Sequence, residues 1–209
     1  MNSITVYYCN IAALNGAESL TALFNASSPE RRQKALNKAQ IKDKASALVS
    51  GLLLNYALKD FCGKSDFEIL TAEHGKPYIK NGNVHFNISH SANYVICAVS
   101  YFNIGCDIEK IRPVNLNIAN RFFTQEEYKN IINSANVQDS FFEHWVLKES
   151  YIKFLGTGLK TPLDSFNINS LTNCFLTKIN IADGYKSAVC AAENAAVNLK
   201  QVNIGGYLL

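Results

Sequence analysis

Four short stretches carry residues whose types and spacing could do chemistry. The first is "IGCDIEKI", residues 104–111, where Asp107 and Glu109 flank Ile108 inside an otherwise apolar run. In a strand, alternate residues share a face. Ile104, Cys106 and Ile108 then look one way while Gly105, Asp107 and Glu109 look the other, with the carboxylates about 7 Å apart along the backbone. Two acids so placed repel unless water or a cation lies between them. Hard oxygen donors suit magnesium, which takes one or two carboxylates plus waters and substrate phosphates. Taken alone, the pair also fits a plain solvent-facing strand with Lys110 and Arg112 beside it, and that pattern is common.

The second stretch is "WVLKESYIK". On a helix Trp145, Glu149 and Lys153 share a face, being four residues apart. Glu followed by Lys at that spacing is also an ordinary surface pair worth about 0.3–0.5 kcal/mol. The indole on the same stripe argues for a covered face. If this face meets the Asp107–Glu109 strand, Glu149 becomes a third carboxylate and Lys153 a cation for phosphate. In "FNISHSANY", the third, Phe86 and Ile88 point inward, Asn87 and Ser89 outward, and His90 and Ser91 begin the turn. Hydroxyls, an imidazole and turn amides make a phosphate pocket; a turn histidine satisfied by its neighbours is the alternative. A zinc site from His85, His90 and Cys97 fails on spacing. In "EHGKPYI", the fourth, Gly75 permits close approach of a ligand to the backbone and Pro77 fixes the chain.

These residues need a frame. The first half opens with a strand, "SITVYYCNI", followed by a helix with Ser28 as N-cap and Pro29 in its first turn. A second helix runs from about Asp43 to Leu58. Strands follow at "FEILTA", "PYIK", "VHFNISH" and "YVICAVSYF", with the Asn-Gly of "KNGN" signalling a hairpin between the second and third. The second half begins with the strand "NIGCDIEKI". Helices follow at "LNIANRFF", "TQEEYKNII" and "SFFEHWVLKESYIKFLG", the last ended by Gly156 and Gly158. Strands resume at "DSFNIN", "FLTKINI" and "YKSAVCAA". Strand, helices and strands, twice over, predict an α+β fold of two halves, 1–103 and 104–209, with the ligand cleft between them.

The composition agrees with an ordinary globular chain: 209 residues, 48% hydrophobic, 18% charged. A net charge of +3 leans toward an anionic ligand and is too small to argue for nucleic acid. The N-terminus lacks the pattern of a signal peptide, and "ALVSGLLLNYAL" is too short to span a bilayer. The six cysteines are scattered without paired spacing, which reads as buried free thiols of a cytoplasmic protein.

In their order and spacing, "GKPYI", "FNISHS", "IGCDIEKI", "RFFTQEEY" and "WVLKESYIKFLGTGL" resemble the 4′-phosphopantetheinyl transferase family, in its larger, monomeric, surfactin-synthetase-activating type. The resemblance runs from about Ser28 almost to the C-terminus. It implies two similar halves related by a pseudo-twofold, with coenzyme A and magnesium between them. The implied reaction moves phosphopantetheine from coenzyme A onto a serine of an acyl or peptidyl carrier protein and releases 3′,5′-ADP. By motif, Asp107, Glu109 and Glu149 would be the metal ligands. Lys76 and Pro77 would line the adenine end, Ser89 and His90 would hold the 3′-phosphate, and Lys153 would contact the pyrophosphate. Glu149 is the implied base and Glu127 a second candidate. Arg31 and Lys34 match basic positions of the family. Lys44 and Ser46 stand where the family often carries a helix arginine, and Cys106 where a larger aliphatic residue is common.

Two other readings compete. A magnesium-dependent nuclease or phosphatase would use the Asp-x-Glu strand but leave "FNISHS" and "GKPYI" without a role. A non-catalytic carrier-binding protein would be expected to have lost a carboxylate or Lys153, and all are present.

Overall fold

The computed structural model describes residues 3–14, 16–64 and 66–207. Strand β1 (Ser3–Asn10) is followed by helices α1 (Ala17–Ala26), α2 (Pro29–Leu36) and α3 (Ile41–Cys62). Next come β2 (Ile69–Thr71), β3 (Pro77–Ile79), β4 (His85–Ser91), β5 (Tyr94–Ser100) and β6 (Ile104–Lys110). Helices α4 (Asn117–Phe122), α5 (Gln125–Ile132) and α6 (Val137–Leu155) lead to β7 (Phe175–Ile179), β8 (Tyr185–Ala191) and β9 (Ala196–Gln201).

The local signals explain most of these ends. Ser28 accepts from the Arg31 amide and Pro29 fills the first turn of α2. Thr124 and Glu127 close a capping box on α5. Gly156 ends α6 at φ +73°.

Two sheets face each other. One has the order β4-β5-β1-β9, the other β6-β8-β7. Val95, Cys97 and Val99 of β5 turn to α3. Ile96 and Ala98 turn the other way and meet Ile104, Cys106 and Ile108 of β6. Helix α6 covers the far face of the second sheet, where Tyr151 and Phe154 lie against Cys174 and Cys190. The layers therefore run helix, sheet, sheet, helix. This is the expected α+β class, with one long helix backing each sheet.

The structure corrects several local expectations. "DSFNIN" forms two single turns of 3₁₀ helix, Leu163–Ser165 and Ile168–Ser170, and no strand. The Asn81-Gly82 connection is not a hairpin, because β3 pairs with β2; Asn81 adopts φ +53° in the passage to β4 instead. Helix α1 and strand β9 are additional to the elements expected from the sequence. Strand β9 pairs in parallel with β1, Ser3 opposite Ala196. After β8 the chain thus returns to complete the first sheet.

Candidate active site

The site lies where the edges of the two sheets meet. Strand β4 ends one sheet, β6 ends the other, and side chains of β4 reach across to β6 in register. Asn87 accepts from the Cys106 amide at 2.9 Å. The Ser89 hydroxyl donates to Asp107 Oδ1 at 2.7 Å, and Ser91 to Glu109 Oε2 at 2.7 Å. The alternation read from the sequence is present on both strands, but the β4 face expected to point outward is covered by β6. Asn87 and Ser89 are 5% and 6% exposed.

Helix α6 closes the site from the other side. A Cβ on Gly105 would collide with the backbone at Ser150 and Phe154, so glycine is what lets α6 approach β6 this closely. That approach brings Trp145, Glu149 and Lys153, one stripe of α6, onto the Asp107 and Glu109 carboxylates. These five residues with Ile88, Ser89 and His90 line a cavity of about 350 Å³.

Lys153 Nζ sits 2.6 Å from Asp107 Oδ1 and 2.9 Å from Ser89 Oγ. Asp107 is 4% exposed, and its Oδ2 is buried without a hydrogen-bond partner. A buried carboxylate oxygen in that position is incomplete, and a hydrogen-bond donor or a cation would complete it. Burial, then the neighbouring Asp107 carboxylate, pushes Glu149 above the usual carboxylate range. Burial likewise raises Glu109, opposed by the Ser91 hydrogen bond. Burial works against the charge of Lys153, yet the Asp107 carboxylate overcomes it and raises the lysine's pKa. Among the described residues no three acidic, histidine or cysteine side chains stand ready as a metal shell. The Lys153 ammonium is instead the cation nearest these carboxylates, on Asp107 Oδ1, which leaves Oδ2 unpartnered.

A larger cavity of about 650 Å³ opens from the same place, sharing Ile88, Glu149 and Lys153 with the first. Lys76 and Pro77 form one wall, and Thr161, Pro162, Leu163 and Asp164 another. The Lys76 ammonium itself is turned inward. It donates to Asn103 Oδ1, Ile104 O and Phe154 O at 2.8–3.0 Å, so only its stem and backbone face a ligand. Burial holds its pKa down at about 8.

The remaining expected residues are dispersed. His90 is an exposed rim residue of the small cavity, still on β4 and not in the turn. Although the residue is exposed at the surface, the protein packed about its ring displaces water from it, and this desolvation together with the nearby Lys153 charge keeps its pKa below the usual imidazole range. Arg31, Lys34 and Lys44 line neither cavity. The Arg31 stem crosses Gly51 of α3, its Cγ 2.7 Å from where a Cβ would stand, and Lys34 pairs with Glu30 at 2.7 Å. Glu127 is the clearest correction. It is fully buried, paired with Lys148 at 2.8 Å, and bonded to Thr124 and the Ile168 amide. With both oxygens engaged and no access to either cavity, it cannot present a lone pair to a substrate. Ser91 and Asn87 were not singled out as site residues, although their period-two spacing with Ser89 was there to read.

The comparisons with known proteins agree along the chain. The pattern of the 4′-phosphopantetheinyl transferase superfamily matches residues 103–205, and that of the 4′-phosphopantetheinyl transferase N-terminal region matches 16–101. The 4′-phosphopantetheinyl transferase Sfp of Bacillus subtilis is 38% identical over 183 residues, covering 79% of this chain and 82% of that one. The transferase ffp of the same species is 36% identical over 84% of this chain and 86% of its own. The transferase gsp of Aneurinibacillus migulanus is 35% identical over 82% and 79%. A solved structure of Thermotoga maritima holo-[acyl-carrier-protein] synthase overlays with a TM-score of 0.37 at 16% identity, across 44% of this chain and 64% of that one. That likeness is too slight to add weight. On the sequence matches, the chain belongs to the 4′-phosphopantetheinyl transferase family.

Proposed function

We propose that this enzyme transfers the 4′-phosphopantetheine group of coenzyme A to a serine hydroxyl of an apo acyl or peptidyl carrier protein, releasing 3′,5′-ADP. The observation that carries the proposal is the meeting of Asp107, Glu109, Glu149 and Lys153 around one polar cavity that opens into a larger, mostly apolar one. A nuclease or phosphatase would explain the carboxylates and leave the large cavity unused.

The donor set fits magnesium: carboxylate oxygens, one of them buried and unsatisfied. Asp107, Glu109 and Glu149 would hold it, and when bound it would neutralise charge on the pyrophosphate oxygens. The rest is done by the chain. Lys153, released from Asp107, places its ammonium against the pyrophosphate. Glu149, held above the usual carboxylate range, accepts the serine proton directly or through a water. The serine oxygen bonds to the phosphorus that bears pantetheine, and the bond from that phosphorus to the bridging oxygen breaks toward 3′,5′-ADP. On this reading Lys76 and Pro77 bound the adenine end and His90, at the rim of the small cavity, holds the 3′-phosphate, joined by Ser89 once its hydroxyl is freed from Asp107 and Lys153. The enzyme acts as a monomer in the cytoplasm on this reading, and among the described residues no helix is long and apolar enough to cross a membrane.

Loss of a carboxylate tests the assignment. Asp107→Ala and Glu149→Gln should each abolish transfer while the circular dichroism spectrum is retained. Near-normal turnover of either variant at saturating magnesium contradicts it.

A further inference from the structure

One buried ion pair is left unused by the reaction. Lys148 and Glu127 are both at zero exposure, with Nζ 2.8 Å from Oε2. A lysine ammonium has three donors, and here all three are engaged: Glu127, Leu163 O at 2.8 Å and Phe166 O at 2.5 Å. The ammonium also lies 4.1 Å from the Phe166 ring centroid. Glu127 Oε2 accepts from the amide and hydroxyl of Thr124, each at 3.0 Å, and Oε1 accepts from the Ile168 amide at 3.0 Å. Every polar atom of the pair is satisfied, the condition under which a buried ion pair is tolerable.

The partners show what the pair is for. Residues 163–168 have no sheet to hold them, only two turns of 3₁₀ helix. They are fixed at Leu163 and Phe166 by Lys148, at Ile168 by Glu127, and at Asn167 by Glu126 at 2.8 Å. The segment so fixed runs on from a wall of the larger cavity, to which Thr161, Pro162, Leu163 and Asp164 contribute along with Lys76 and Pro77; Leu163 belongs to both. Lys148 precedes Glu149 on α6, so the wall is referenced to the helix that carries the reacting side chains.

We infer that Glu127 and Lys148 are positioning residues: the pair fastens the 161–168 segment to α5 and α6 as the wall of the coenzyme A cavity, and so governs affinity for coenzyme A without taking part in proton or phosphoryl transfer. This rests on the proposed function, since it takes coenzyme A to be the ligand of that cavity.

Calorimetric binding of coenzyme A, read beside steady-state kinetics, tests it. Glu127→Gln should raise Kd and KM for coenzyme A by about tenfold, the loss of a buried charge-assisted contact. Its kcat should stay within about threefold and the acidic limb of the kcat–pH profile should not move. Replacing both partners, Glu127→Leu with Lys148→Met, removes every bond by which the pair holds Leu163, Phe166 and Ile168, so affinity for coenzyme A should fall at least as far as in Glu127→Gln, again with little change in kcat. Ile168→Pro provides a variant that leaves the pair intact. It deletes one amide donor at the first position of a 3₁₀ turn, where proline is tolerated, and Asn167 before it is already extended. It should weaken coenzyme A binding by roughly two- to fivefold at unchanged kcat, so the inference can be tested even if Glu127→Gln does not fold. A Glu127→Gln protein that binds coenzyme A normally but loses kcat by orders of magnitude would make Glu127 the base and overturn the inference. Unchanged binding in all variants overturns it too. Failure of the wild-type protein to bind coenzyme A at all would instead refute the proposed function.

Discussion

At the scale of the residue, Lys153 decides the state of the site. Its Nζ lies 2.6 Å from a carboxylate that is otherwise buried with an unsatisfied oxygen. A solvated helix pair of this type would contribute only about 0.3–0.5 kcal/mol; stranding a buried carboxylate costs more. Lys153→Ala should therefore lower the melting temperature as well as cutting transfer by orders of magnitude. Millimolar magnesium should restore part of that melting temperature, because a divalent ion can replace the lost ammonium. A differential scanning measurement with no magnesium effect would contradict that substitution. His90 makes a second prediction. A hydrogen bond to the 3′-phosphate is worth about 1.5–3 kcal/mol. His90→Ala should thus impair use of coenzyme A by roughly ten- to a hundredfold and barely touch dephospho-coenzyme A. Desolvation of the ring and the Lys153 charge hold its pKa below the usual imidazole range, which favours the uncharged ring before the ligand arrives. The charged contribution should grow as pH falls and fade as it rises. Equal harm to both substrates would mean that His90 only supports the end of β4.

At the scale of the element, what was legible was what local chemistry controls. The capping serine of α2, the Asp107/Glu109 alternation on β6 and the Trp145–Glu149–Lys153 stripe of α6 all depend on period and short-range bonds. What escaped depends on distant partners. Strand β9 has an exposed face and pairs with the far end of the chain, and in "DSFNIN" the Phe166 carbonyl and the Ile168 amide bond to Lys148 and Glu127, with no partner strand among the described residues. Glu127 looked like a base because the sequence gives no sign of Lys148 beside it. Lys76 shows the same lesson: a lysine in a ligand loop turns its charge to the C-terminal end of α6. This has a consequence for pH. Its folded pKa of about 8 is below that of a free lysine, so between about pH 8 and 10.5 the unfolded chain binds the extra proton. Stability should rise with pH across that window, and the rise should be smaller in Lys76→Met. Parallel urea-midpoint curves for the two proteins would contradict it.

At the scale of the whole molecule, the halves proposed at 1–103 and 104–209 are joined by more than a linker. Strand β9 completes the first sheet, and the face between the sheets is apolar on both sides. Either fragment alone should fail to show a cooperative thermal transition, and mixing them should restore one; a cooperative transition from 1–103 by itself would contradict this. The cleft that makes the enzyme exists only between the two sheets, with β4 on one side and β6 and α6 on the other. The central claim is that this cleft moves phosphopantetheine from coenzyme A to a carrier. Intact-protein mass spectrometry on a set of apo acyl and peptidyl carriers, incubated with the enzyme, coenzyme A and magnesium, tests it most directly. The account predicts that at least one carrier gains a single phosphopantetheine group, and that the gain is lost when the carrier's acceptor serine is changed to alanine. Carriers of unchanged mass, with coenzyme A hydrolysed in their absence, would contradict it.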